Sequence, residues 1–149
     1  MACPVPSAES GRRMSTQPDL VAAVRGWLAE HLEGVRVVTT LPDGPRLEVQ
    51  LLQGPVVRLT RGIGGGAVKG ERRVLFDVDV FSADEESMWE VTDRAWKACE
   101  ALTAQFTGGV LVDEVRVHNG AGQAGPGQTG HENPGVYRTF ATYRLTTRS

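Results

Sequence analysis

The residues of this chain that could do chemistry include a glycine-rich stretch in the middle of the sequence. Gly62-x-Gly64-x-x-Ala67 fits a loose dinucleotide-binding fingerprint. That motif needs a helix N-terminus directly after the glycines to hold a pyrophosphate. Strand signals follow Ala67 instead, so the stretch is predicted to be a flexible hairpin loop. Lys69 comes after the glycines, but no Gly-Lys-Ser/Thr is present, which argues against a phosphate-binding P-loop.

Acidic residues and histidines are the other candidates for a reactive site. Asp77 and Asp79 share one face of a predicted strand, where they could hold a cation or do acid/base work. We interpret them as lying on an outward strand face that is either solvated or faces the ring. His31, His118 and His131 fall on a helix, a strand end and a loop, without carboxylates or cysteines at metal-ligand spacing. The sequence therefore predicts no catalytic residue, no metal site and no cofactor.

Composition and cysteine content narrow the class of protein. The formal charge of -2 argues against a dedicated nucleic-acid binder, which usually carries a basic stripe. Cys3 and Cys99 cannot build a disulfide framework, which favours a reduced, cytosolic folding environment, and Cys99 is expected to be a small core residue. No apolar run approaches the length of a membrane span, and the first residues lack the apolar core of a signal peptide.

The N-terminal half is predicted to begin with a disordered tail over residues 1–15, followed by one domain over 16–149. A first helix is expected from Pro18 to Glu33, with Thr16 as N-cap. Its apolar residues fall at helical spacing: Leu20, Ala23, Val24, Trp27, Leu28 and Leu32. Residues with a period of two then predict strands at 35–39, 46–53, 56–61 and 74–80, with a loop over Gly62–Gly66.

The second half is predicted to contain one long helix and two strands. Ser82 is the expected N-cap of a helix that reaches about Gln105 and is ended by Gly108-Gly109. Strands are expected at 110–118 and 136–147, separated by a loop over Asn119–Gly135. The predicted packed face of the helix comprises Met88, Val91, Ala95, Ala98, Cys99, Leu102 and Phe106, with Trp89 and Trp96 beside it. This order of elements predicts an α+β fold, in which a mixed or mostly antiparallel sheet of about five strands packs against two helices.

Several segments of the chain, taken together, are similar to those of one protein family. They are Gly34–Val37, Thr40–Pro42, Arg61–Gly65, Phe76–Asp84 and Tyr137–Leu145. From Asp19 to Arg148 the chain resembles the tail terminator proteins of long-tailed bacteriophages, particularly those infecting high-GC Gram-positive hosts. Arg46–Gln53 is extra strand material relative to that pattern.

The resemblance implies a structural virion protein that acts through interface geometry rather than turnover. Such proteins form a hexameric ring on the last ring of the tail tube, stop its polymerisation and present a surface to the head-side connector. The expected partners are further copies of the chain, the major tail tube protein and the head–tail connector or stopper protein. DNA would pass through the lumen without specific binding, and no membrane is involved. The expected location is the tail neck of the virion, after assembly in the host cytoplasm.

In such a ring, two loops are expected to be docking segments, Gly62–Gly70 and Asn119–Gly135. Four arginines, placed by strand alternation, are expected to be charged partners for neighbouring subunits. The candidate interface residues are Arg58, Arg61, Gly64, Gly65, Lys69, Arg138 and Arg144.

Other functions are compatible with the same sequence. One is a head-side neck or stopper protein, or a tail-completion protein of a contractile particle. A second is a small α+β enzyme that uses Asp77, Asp79 or His118, which would require a concave site with perturbed titrating groups. A third is a binding or adaptor module of a bacterial cell.

Overall fold

The computed structural model describes residues 19–42, 44–68, 71–117, 127–129 and 135–148. These residues form three helices and a seven-stranded sheet, so the α+β class is confirmed with more elements than the sequence predicted. The elements in chain order are α1 Leu20–His31, β1 Arg36–Val38, α2 Pro45–Leu51, β2 Val56–Val68, β3 Glu71–Ser82, α3 Glu85–Ala101, β4 Phe106–Thr107, β5 Val110–Val117, β6 Gly127–Thr129 and β7 Tyr137–Arg148. The tail predicted over residues 1–15 lies outside the described residues.

The sheet is mostly antiparallel, as predicted. Its strand order is β1-β2-β3-β7-β5-β4, and β6 pairs with the first part of β7. Only β1 and β2 run parallel among the described strands. β7 lies between β3 and β5, and it pairs with β3 along its whole length, from Tyr137 opposite Ser82 to Arg148 opposite Glu71. The last strand of the chain therefore occupies the middle of the sheet.

Helices α1 and α3 pack on one side of the sheet, which we call the helical face. Alternate residues of the central strands point into this core because successive side chains of a strand lie on opposite faces. Cys99 is buried there, which confirms its predicted place, and burial raises the pKa of its thiol to about 12. The core residues on this face include Leu28, Leu32, Val57, Leu59, Phe76, Val80, Val91, Ala95, Leu102, Tyr143 and Leu145.

The helix ends differ from the predicted caps. Asp19, rather than Thr16, caps α1 through a hydrogen bond from the Ala22 amide, and Thr16 lies outside the described residues. Asp84, rather than Ser82, caps α3, because Ser82 still belongs to β3. The α3 helix ends at Ala101, well short of Gln105. As a result Phe106 falls on β4 with 71% of its surface exposed, and its predicted place in the core was wrong.

Replacing Asp84 by alanine is expected to lower the free energy of unfolding by about 1 kcal/mol. The Asp84 carboxylate accepts a hydrogen bond of 2.7 Å from the Ser87 amide, which would otherwise lack a helical partner. Asn caps helices about as well, so Asp84→Asn serves as the matched control. Urea unfolding followed by circular dichroism measures both variants, and equal losses for the two would contradict the cap.

The strand predicted over residues 46–53 is the short helix α2. Leu47 and Leu51 are four residues apart and buried, whereas Val49 between them is 61% exposed. Leu, Val and Leu at every second position fit a strand, but two of the three fit one side of a helix equally well. Pro45 at the first helical position favours the helix, since its fixed φ suits that site and its missing N–H is not needed there.

The loop predicted over Gly62–Gly66 is also wrong, because β2 continues through it to Val68. Arg61 pairs with Phe76 and Gly65 pairs with Val74, so four residues of β2 advance against two of β3. This is a bulge, which absorbs extra residues and bends the strand. A Cβ atom on Gly62 would lie 3.1 Å from Cβ of Leu75, so glycine permits the close approach of the two strands. Of the other predicted loop, Gly127–Thr129 forms β6.

Candidate assembly surface

The side of the sheet opposite α1 and α3 is called the open face here. Helix α2 covers only one corner of it, at the end of the sheet where β2 begins and β3 ends. A second, smaller core lies under this helix, formed by Leu47, Leu51, Val56, Phe81 and Val136. The rest of the open face carries many polar and charged side chains from β2, β3, β7 and β5, beside apolar ones such as Leu75 and Phe140, and this makes it the best candidate for a functional surface among the described residues.

Directly beside the α2 corner, Asp79 accepts hydrogen bonds from two arginines of the neighbouring strands. Arg58 of β2 donates to Oδ2 through Nη2 at 2.7 Å and Nε at 3.1 Å. Arg138 of β7 donates to Oδ1 through Nη2 at 2.8 Å and Nε at 3.3 Å. Each carboxylate oxygen therefore has its own guanidinium group, a charge-assisted arrangement that is stronger than neutral hydrogen bonding.

The strand register explains why these residues meet. Asp79 lies opposite Arg58, and Phe81 lies opposite Arg138, all on the same face of the sheet. The guanidinium carbons of Arg58 and Arg138 lie 5.2 and 5.5 Å from the centre of the Phe81 ring. Cation–π attraction at this distance holds both guanidinium groups over the Phe81 ring, next to the Asp79 carboxylate. Asp79 is only 1% exposed, so of the two interpretations the solvated one was wrong for this residue, and a ring-facing strand stays a prediction.

Polar residues continue across the open face away from α2. Asp77 accepts a 2.7 Å hydrogen bond from the Thr142 hydroxyl. Further along β7, Arg144 borders a shallow depression of about 370 Å³. The other residues that line it are Glu71, Arg73, Asp113, Glu114 and Thr146. The buried Nε of Arg144 has no hydrogen-bond partner among the described residues.

The structure brings only part of the predicted interface set together. Arg58 and Arg138 meet at Asp79, and Arg144 lies on the same face further along β7. Arg61 is exposed, but it pairs with Phe76 and so belongs to the helical face. Gly64 and Gly65 lie within β2, and Lys69 is outside the described residues. The structure gives two of the arginines a partner within the same subunit, and their contact with a neighbouring subunit stays a prediction.

Sequence reasoning missed Asp79 as the centre of this cluster. The signal was an aspartate within an otherwise apolar strand, with arginines on two other strands whose alternation also places them on a polar face. What the sequence did not provide was the strand order that sets β2 and β7 on either side of β3.

The described part of this surface offers charged and hydrogen-bonding groups, centred on Asp79 and its two arginines. Among the described residues no group of three or more His, Cys, Asp or Glu side chains could hold a metal ion. In the same part of the chain, no helix is long and apolar enough to cross a membrane. Several charged groups of the open face form ion pairs, such as Arg116 with Glu114 at 2.9 Å.

Comparison with known proteins adds one finding. No family model matches the chain, and no curated protein matches it. Among solved structures, it is similar to a chain described as "Virion of native gene transfer agent (GTA) particle". The TM-score is 0.58 at 17% identity, and the match covers 87% of this chain and 95% of the other. The likeness is one of fold. Because almost the whole of both chains takes part, the two share an architecture rather than a fragment.

Proposed function

We propose that this protein is a structural component of a phage-like virion, and specifically a tail terminator. The observation that carries the proposal is the fold shared over 87% of the chain with a component of a gene transfer agent virion. The resemblance to tail terminators found in the sequence points the same way. In this role, copies of the chain form a ring, expected to be hexameric, that caps the tail tube and joins it to the head-side connector.

The edges of the sheet suit such a role. β1 covers β2 only from Val56 to Arg58, so the rest of β2 has no strand on its outer side among the described residues. At the opposite edge, β4 contributes two residues. Unpaired strand edges accept hydrogen bonds from another chain. The predicted docking segment is Gly62–Gly70, and its described part, Gly62–Val68, lies on this unpaired part of β2, which supports its assignment to subunit contacts.

A structural role also agrees with the chemistry of the open face. Arg58 and Arg138 neutralise Asp79, and Arg116 neutralises Glu114, so these carboxylates are not left as a poised acid or base. An enzyme of this size would be expected to gather perturbed titrating groups in a concave site. The two described groups with raised pKa values, Cys99 and Tyr143, are buried in the core, where burial is the main cause. A non-enzymatic function therefore fits this surface better.

Tail tubes grown from the tail tube protein of the same genome test this proposal. Adding the purified protein is expected to shorten the tubes and place a ring at one end, as seen by electron microscopy. The Ala29→Asp variant, altered at an exposed site of α1, is the control that should act like the wild type. Tubes of unchanged length, with no protein at their ends, would contradict the tail terminator function.

Binding to the head-side connector without any effect on tubes would instead indicate a neck or stopper protein. The same preparation distinguishes the two roles, because connector binding and tube capping are measured separately. A protein that binds neither would point to the enzyme or adaptor functions considered from the sequence.

A further inference from the structure

One side of α3 carries an exposed row of aromatic and acidic residues, which we call the tryptophan strip. Its members are three or four residues apart, so they lie along the same side of the helix. They are Glu85, Trp89, Asp93, Trp96 and Glu100. Trp89 is 41% exposed, Trp96 is half-buried and the three carboxylates are exposed. The Nε1 atom of Trp96 is buried without a hydrogen-bond partner among the described residues.

The charge of the tryptophan strip is negative and little compensated. Lys97 pairs with Asp93 at 2.9 Å. Glu85 and Glu100 take part in no ion pair between described residues. The other cation of α3, Arg94, lies on the opposite side of the helix and donates to a backbone carbonyl of α1. Carboxylates next to indole rings favour a cationic partner, because a guanidinium group can stack on the ring and pair with the carboxylate.

The chain enters α1 close to one end of this strip. Helices α1 and α3 run antiparallel, since Trp27 donates to the Ala98 carbonyl while the end of α1 lies beside Arg94. Leu20, where α1 begins, therefore lies about 10 Å past the level of Ala98, beyond the C-terminal end of α3. Ala23 lies against the turn between β4 and β5. The start of α1 is thus on the β5 side of the sheet, and the strip, on the side of α3 away from Arg94, also points toward β5.

The segment that precedes α1 contains cations within reach of the strip. Before Asp19 the sequence has Arg12 and Arg13 against a single carboxylate, that of Glu9. Six residues separate Arg13 from Asp19, and six extended residues span about 20 Å. From the start of α1, Glu100 lies about 8 Å back along α3 and about one helix diameter, 10–12 Å, to the side. The two arginines can therefore reach the strip of their own subunit.

We infer that the segment before α1 docks on the tryptophan strip of its own subunit, with Arg12 and Arg13 against Trp96 and Glu100. Each exposed contact of this kind is weak. Attachment to α1 compensates for this, because it gives the arginines an effective concentration at the strip on the order of millimolar. Docking also covers indole surface that is otherwise exposed to water. This contact lies within one subunit and does not depend on the proposed virion function.

The test places a nitroxide spin label on residue 10 of the full chain and measures the tryptophan indole N–H signals by NMR. Ser10→Cys in a Cys3→Ser background provides the site. Cys99 stays unlabelled, because it is buried and the pKa of its thiol is raised to about 12. The label is expected to remove most of the intensity of the Trp89 and Trp96 signals.

Charge reversal separates docking from mere proximity of the label. With Arg12→Glu and Arg13→Glu, the two indole signals of the strip are expected to regain most of their intensity. The control is Arg25→Glu with Arg46→Glu, which reverses the same number of charges at exposed sites and should leave the broadening unchanged.

Reversal on the helix completes the cycle. Asp93→Arg with Glu100→Arg should also relieve the broadening, and combining these changes with the reversed arginines should restore it. Both helix sites are exposed, and circular dichroism checks that the variants fold.

Three outcomes would overturn the inference. The first is broadening that does not change when the two arginines are reversed. The second is a combined variant that fails to regain it. The third is equally strong broadening in a mixture of spin-labelled chains with isotope-enriched, unlabelled chains, which would assign the contact to a neighbouring copy instead. Tube capping is measured separately, so the loss of either proposal leaves the other standing.

Discussion

Replacing Asp79 by alanine is expected to lower the free energy of unfolding by about 3 kcal/mol. The carboxylate is buried and neutralises Arg58 and Arg138, whose side chains are 30% and 27% exposed. Without it, two guanidinium groups face each other over Phe81 with no counter-charge between them. Removing one partner of a buried ion pair costs about 3–5 kcal/mol, and the partial hydration of both arginines places this case at the lower end.

Asp93→Ala is the matched control for this prediction. Asp93 pairs with Lys97 at 2.9 Å on the surface of α3, where both side chains are more than half exposed. Exposed pairs one helical turn apart contribute about 0.3–0.5 kcal/mol. Urea unfolding of both variants compares the two aspartates under one protocol. If Asp79→Ala lowers the free energy of unfolding by less than about 1 kcal/mol, the two arginines are hydrated in the variant nearly as favourably as they are paired with Asp79 in the wild type.

The best-predicted parts of the fold are those governed by local spacing. The buried residues of α1 follow a helical period that can be recognised within that segment alone. The same is true of α3 and its end, from Met88 to Leu102. β5 and β7 were predicted from alternation. In these segments the periodic burial of side chains, rather than propensity, fixes the structure.

The wrong secondary-structure predictions lie where the apolar pattern covers few residues, or where contacts with residues distant in sequence determine the structure. Seven residues of α2 allow two interpretations of Leu47, Val49 and Leu51, and the helix is selected by burial against Val56 and Phe81 together with Pro45 at its start. Likewise Gly62–Gly66 lacks side chains that indicate a strand. Those residues are extended because β3 pairs with β2 on both sides of them. Such tertiary pairing overrides weak local preferences for secondary structure.

The candidate site was predictable only as a list of charged residues. Arg58, Asp79 and Arg138 come from three strands, and Arg138 lies 59 residues after Asp79. Their meeting requires β7 to insert next to β3, a long-range pairing that periodicity does not specify. Strand alternation placed each side chain on the polar face, but burial of Asp79 follows from its two neighbours and from the Phe81 ring beneath them.

Gly108→Ala is expected to destabilise the protein by about 3 kcal/mol for two separate reasons. Gly108 and Gly109 form the tight turn between β4 and β5, instead of ending α3 as the sequence suggested. The φ of Gly108 is +56°, a left-handed conformation that costs a residue with a Cβ about 1–2 kcal/mol. An added Cβ would also lie 2.7 Å from Cβ of Ala23 on α1, and overpacking of this kind costs about 1–3 kcal/mol.

Gly109→Ala separates the two contributions, because Gly109 has a φ of +78° but no atom within 4 Å of an added Cβ. It is expected to lose only the conformational part, about 1 kcal/mol. The Ala23→Gly background removes the obstructing methyl group and leaves the Cα of residue 23 at 3.0 Å, so there the cost of Gly108→Ala should fall part of the way toward that of Gly109→Ala. Such a cycle isolates the contact between the turn and α1. Equal losses for the two glycine variants, unchanged by Ala23→Gly, would show that α1 does not pack tightly against this turn, and that only the β4–β5 hairpin fixes its conformation.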